Sequence, residues 1–129
     1  MPETLFDKIV GDEIPTWKVW EDDTHLAFLT PFTAHPGTVV VIPKQNIGDD
    51  VFELPEADYQ ALWGAARTVA AKLKRAFKVD RVAVVVEGME VPHVHIRLYP
   101  VNEHYLAYPS QGKVEDTEMD QLQERIKAA

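Results

Sequence analysis

Apolar positions near the start of the chain fall at helical spacing: Leu5, Phe6, Ile9 and Val10, followed by Gly11 as a natural stop, predict a short opening helix. After Pro15 the period changes. Trp17 to Glu21 alternates like a half-buried strand, Asp22-Asp23 makes a turn, and His25 to Leu29 runs apolar again, which predicts a hairpin. Prolines and a glycine punctuate Pro31 to Gly37 as a loop, and the continuous apolarity of Thr38 to Pro43 predicts a strand buried on both faces. Pro55 stands at a first helical position, Glu56 and Asp58 follow it, and Lys72, Lys74 and Arg75 crowd the far end, matching the helix dipole at both termini. Between them Tyr59, Leu62, Ala66, Val69, Leu73 and Phe77 form one stripe, so a long helix lays a single face on a sheet. Strands are expected at Arg81 to Glu87 and Val91 to Pro100 with a turn at Gly88 to Pro92. A short amphipathic helix carrying Met119, Leu122 and Ile126 closes the chain. The sum is an α+β fold: a five-stranded antiparallel sheet, one long helix and short terminal helices. No linker or repeat divides it, so a single domain over 1–129 is expected, with a core over about 5–100 and a C-terminal extension over 101–129.

Composition narrows the function. In 129 residues, 46% hydrophobic and 26% charged, there is enough apolar material for a core, which excludes a wholly disordered chain. Thirteen basic against 21 acidic residues leave a net charge of −8. That sign repels nucleic-acid polymers and anionic membranes, so any anionic ligand needs a local constellation of donors. The absence of cysteine removes disulfides, thiolate metal sites and cysteine nucleophiles together. The apolar runs are too short to span a bilayer, and Glu3 and Asp7 stand where a signal peptide would be basic and then apolar, so a cytoplasmic protein is expected.

The unusual feature is Val91-Pro92-His93-Val94-His95-Ile96-Arg97-Leu98. On a strand, His93, His95 and Arg97 would share one face at about 7 Å per step of two, with Val94, Ile96 and Leu98 facing the helix layer. Three uses compete for such a row. Two histidines at i and i+2 are a known metal-ligand pair, but the permanent cation Arg97 disfavours a metal ion beside it. Histidines on an exposed sheet face paired with Glu87 or Glu90 are a second use. The third is an anion site, in which a neutral imidazole attacks phosphorus and a guanidinium fork holds phosphate oxygens.

The row resembles the signature of the histidine triad (HIT) family, His-φ-His-φ-His-φ-φ with φ apolar. Gly88-Met89-Glu90-Val91-Pro92 is similar to its usual lead-in, Phe6 to Pro15 to its opening segment, and Phe28 to Pro31 with Pro36 to Lys44 to its second block. The likeness covers about Leu5 to Pro100. It implies a homodimer whose two sheets join, and a small-molecule nucleotide partner with its α-phosphate over the histidine row. It also implies hydrolysis or nucleotidyl transfer through a nucleotidyl-histidine, with no cofactor. By position His95 would be the nucleophile and His93 its orienting neighbour. Arg97, His93, Met89 and Asn46 fall at phosphate-contacting positions, and Phe6, Ile9, Ile14, Phe28, Leu29 and Thr30 at nucleotide-binding ones.

The departures are specific. Arg97 replaces the third histidine, Asn46 the further histidine that follows the Pro-Lys pair, Thr30 an acidic residue that holds ribose hydroxyls, and Met89 a frequent glutamine. The cysteines of zinc-binding members are absent, so no metal is expected. A single hydroxyl at Thr30 cannot accept two ribose hydrogen bonds as a carboxylate does. His35 and His104 either substitute for a missing histidine or stand solvated on the surface. These losses also admit a catalytically weak or inactive nucleotide-binding protein, in which the His93, His95 and Arg97 row is only an anion clamp.

Overall fold

The computed structural model describes residues 3–109 and 112–129. Its first helix, α1 (Leu5–Val10), starts with a capping box: the Asp7 amide donates to Thr4 Oγ1 at 3.3 Å while the Thr4 amide donates to the Asp7 carboxylate at 2.9 Å. The Gly11 amide closes it on the Asp7 carbonyl. Strands β1 (Trp17–Glu21) and β2 (His25–Leu29) form the expected hairpin, held by Asp22, whose carboxylate accepts from the amides of Thr24 and His25. Next come β3 (Val39–Pro43), α2 (Glu56–Phe77), β4 (Arg81–Val85), β5 (Ile96–Val101) and α3 (Asp116–Lys127). Pro55 sits one residue ahead of the first helical residue rather than on it.

The five strands make one antiparallel sheet in the order β1-β2-β3-β5-β4. This is the α+β architecture expected from the periodicity. One face carries Ala27, Val39, Val41, Ile96 and Leu98 against Leu62, Ala66, Val69 and Leu73 of α2 and Met119 and Ile126 of α3. The other face carries Leu26, Phe28, Val40 and Ile42 against Phe6 and Ile9 of α1. Because β2 and β3 have a layer on both sides, all five residues of each are buried.

The strand expected from Val91 begins only at Ile96. Alternation continues through His93-Val94-His95, but hydrogen bonding does not. The last β3–β5 pair is Val41 with Ile96, and β3 then ends at Pro43, which has no amide proton to donate. The His93 amide instead bonds the Val91 carbonyl and the Val94 amide bonds the Gly48 carbonyl, so both histidines lie on a pinned connection that leads into the strand. Likewise β4 stops at Val85, short of the expected Glu87, and β3 starts at Val39, one residue after Thr38. No helix among the described residues is long and apolar enough to cross a membrane.

Candidate active site

On the α1 side of the sheet a cleft of about 470 Å³ opens between α1, the β2 end and the C-terminal stretch. Phe6, Ile9, Ile14, Phe28, Leu29, Thr30, His95 and Arg97 all border it. These include every residue assigned to nucleotide binding from the sequence. Phe28 and Leu29 reach it differently, because neighbours on a strand face opposite ways. Phe28 packs edge-on to Phe6 at 5.6 Å within the α1 layer, whereas Leu29 belongs to the core beneath α2 and meets the cleft only at its border. The Thr30 hydroxyl already accepts from the Phe32 amide at 3.2 Å.

His95 is the buried imidazole of this cleft, 3% exposed. Its Nδ1 lies 2.8 Å from the His93 carbonyl. A carbonyl only accepts, so the proton is on Nδ1, and in the neutral ring Nε2 carries the lone pair. Phe6 packs edge-on against the ring at 5.0 Å. Burial holds its pKa below the ordinary histidine value; the bond to the His93 carbonyl and the Glu87 charge pull it up, while Arg97 and His93 push it down. Glu87 Oε1 stands 3.8 Å from Nε2, beyond hydrogen-bond reach. The β4–β5 register, which pairs Val85 with Arg97, when continued by two residues sets Glu87 opposite His95.

His93 is fully buried behind the cleft and does not border it. Its Nε2 donates to the Pro43 carbonyl at 2.7 Å, its own carbonyl accepts from His95, and its Nδ1 has no hydrogen-bond partner, with Asp7 Oδ1 3.7 Å away. Burial holds its pKa low as well, against the opposing pull of the Pro43 bond and the Asp7 charge. His93 therefore joins the end of β3, through its ring, to the nucleophile candidate, through its backbone carbonyl.

Arg97 is the sole Lys or Arg among the described residues of the cleft wall. Its Nε donates to the Tyr99 hydroxyl at 2.9 Å and one terminal nitrogen lies 3.4 Å from the Phe32 carbonyl. The guanidinium carbon sits 5.8 and 5.7 Å from the Tyr99 and Tyr108 ring centres. No carboxylate among the described residues pairs with it.

Besides His93, two residues assigned to phosphate contact lie away from the cleft. Met89 is 81% exposed and Asn46 is turned toward the connection, donating to the Pro92 carbonyl and accepting from the Gly48 amide; neither borders the cleft. His35 is neither in the cleft nor solvated: it is buried, and its Nε2 accepts from the Ala107 amide at 3.0 Å. His104 is exposed, as the surface alternative had it, and borders a separate depression at the far edge of the sheet. Sequence reasoning missed Tyr99, Tyr108, Phe32 and Asp7. Tyr99 was within reach, since it continues the Arg97 face by one further step of two; Tyr108 had no local pattern to reveal it.

A HIT domain family model matches residues 11–104. A HIT-like protein of Methanocaldococcus jannaschii is 31% identical over 129 residues, covering 95% of this chain and 98% of the relative. The purine nucleoside phosphoramidase of Escherichia coli K12 is 31% identical over 103 residues, covering 74% of this chain and 85% of the enzyme. The crystal structure of a HIT-like protein of Bartonella henselae superposes with a TM-score of 0.83 at 24% identity, covering 98% of this chain and 95% of that one. The chain belongs to the HIT family. Its α+β fold is that of the family's solved structures.

Proposed function

We propose that this chain is a nucleotide hydrolase or nucleotidyl transferase acting at the α-phosphate of a nucleoside phosphoramidate, dinucleoside polyphosphate or related ester. The observation that carries the reading is the fixed tautomer of His95: the His93 carbonyl holds the proton on Nδ1, leaving the Nε2 lone pair as nucleophile at the border of a nucleotide-sized cleft. Nε2 attacks the α-phosphorus and the leaving group departs. Water then attacks the nucleotidyl-His95 phosphorus, the P–N bond breaks, and its electron pair returns to Nε2. Phe6, Ile9, Ile14 and Phe28 supply an apolar wall for the base, and Arg97 supplies the positive charge that an acidic protein must concentrate at such a site. His93 positions the nucleophile from behind. That the relatives include an enzyme named as a purine nucleoside phosphoramidase supports this class of reaction. The outer edge of β4 has no strand partner among the described residues and leaves Val84 44% exposed, which supports a dimer formed there.

The test is release of AMP or GMP from matched phosphoramidates and dinucleoside polyphosphates with a chelator present, for wild type and His95→Ala. We expect metal-independent release that falls at least about a thousandfold in the variant, with circular dichroism confirming that it folds. An anion clamp without catalysis would instead show thermal stabilisation by AMP or GMP and no release above buffer.

A further inference from the structure

We propose that Arg97 makes this cleft selective for nucleotides whose leaving group departs as an anion, namely phosphoric anhydrides, over phosphoramidates, whose amine must take up a proton to leave. The inference rests on the function proposed above and concerns the leaving group alone.

The order of groups along the cleft places the leaving group. Phe6 packs against both histidine rings and, with Ile9, marks the end where the base lies. Arg97, on β5, is one step of two beyond His95, and its side chain bonds the Tyr99 hydroxyl and the Phe32 carbonyl and lies beside the Tyr99 and Tyr108 rings, whereas Phe6 packs on His95, His93 and Phe28. With the α-phosphate at Nε2 and the base toward Phe6, the remainder of the substrate extends toward Arg97. The guanidinium is already oriented by its Nε bond and by two aromatic faces, with no carboxylate among the described residues to neutralise it. It therefore meets an incoming phosphate chain as an unspent positive charge.

A guanidinium holds its protons at every physiological pH, so it stabilises charge but does not transfer a proton. In an anhydride this suffices. As the Nε2–P bond forms, the bridging P–O bond breaks, and its electron pair becomes the terminal oxygen charge of a phosphate or polyphosphate, which Arg97 neutralises. The proton balance is settled only in the second step, when the attacking water releases its proton to solvent. In a phosphoramidate the breaking bond is P–N, and an amide anion is too basic to depart, so a proton must reach nitrogen first. Beside Arg97 the candidates are the phenols of Tyr99 and Tyr108, both held above the ordinary tyrosine value by burial despite the opposing pull of Arg97. Two carboxylates lie nearby among the described residues, Glu87, 3.8 Å from His95 Nε2, and Glu90 on the cleft border, and His93 lies behind His95.

The experiment compares kcat/KM for AMP joined to a primary alkylamine and for AMP joined to phosphate, with guanosine counterparts, in wild type, Arg97→His and Arg97→Gln. A ratio of two substrates on one enzyme is insensitive to how much of a variant is folded. The wild type should favour the anhydride at least about tenfold. Arg97→His, which supplies a transferable proton, should shift the ratio toward the phosphoramidate at least about tenfold, and Arg97→Gln, which weakens the phosphate contact for both substrates, should lower anhydride turnover by a larger factor than phosphoramidate turnover. A wild type that cleaves the phosphoramidate as well as the anhydride, or an Arg97→His ratio that does not move, overturns the leaving-group assignment and leaves the nucleotidyl-His95 reading standing. No turnover of either substrate overturns that reading, and this inference with it.

Discussion

At the scale of single residues the site is a competition between burial and two opposite charges around one imidazole. Burial is the largest influence on His95 and keeps it neutral; Glu87 opposes it and Arg97 reinforces it. A neutral ring is the nucleophile, so the acid limb of the pH profile follows the protonation of His95. Glu87→Gln removes the carboxylate that stabilises the imidazolium, so the acid limb should move to lower pH. Arg97→Gln removes a repelling cation, so it should move to higher pH. Normalised kcat/KM profiles between pH 4.5 and 8 separate this from any loss in absolute rate, and shifts in the same direction would sink the assignment. The His-x-His-x-Arg spacing made both His95 and Arg97 visible in the sequence. The sequence did not reveal that His93 turns inward. Its partners, the Pro43 carbonyl and Asp7, are brought to it by tertiary packing from 50 and 86 residues earlier in the chain.

At the scale of elements, the legible parts are those in which hydrophobic period and hydrogen bonding agree. The β1–β2 hairpin, the both-face burial of β3 and the stripe of α2 follow from side-chain pattern alone, because each keeps its partners over most of its length, a bulge between Lys18 and Trp20 being the local exception in the hairpin. The connection from Glu87 to His95 is where they part. Over its last three residues, His93-Val94-His95, the side chains alternate as a strand would, yet the His93 amide bonds the Val91 carbonyl and the Val94 amide the Gly48 carbonyl. Gly88 controls the start of this connection. It has φ of +75°, and a methyl group built there would overlap the Asp49 carbonyl oxygen, so two backbones meet with no room for a side chain. Gly88→Ala should cost at least about 2 kcal/mol and displace Glu87 and the histidine connection together. Chemical denaturation measures the first effect and nucleotide release the second; a variant with wild-type midpoint and activity would show that the loop contact is dispensable.

For the whole molecule, the same burial that prepares a nucleophile sets how the fold responds to acid, and two effects pull in opposite directions. Lowering the pH toward the sequence pI of about 5.0 reduces a net charge of −8, which relieves self-repulsion and favours the compact state. Against this, His25, His93 and His95 all have pKa values lowered by burial as the first cause. The unfolded chain therefore binds protons that the folded chain refuses. Stability from these groups is fully present above the ordinary histidine value of about 6.5 and is lost as pH falls from there through the folded values. Each group contributes up to about 1.4 kcal/mol per pH unit within that window, so three together outweigh the diffuse repulsion, which physiological salt largely screens. The melting temperature at 0.15 M salt should be flat above about pH 7 and fall steadily from pH 6.5 to 5. His25 lies outside the cleft, so His25→Asn should reduce that slope without touching the nucleophile. A melting temperature that rises toward pH 5 would show that net charge, not the buried imidazoles, governs the acid response.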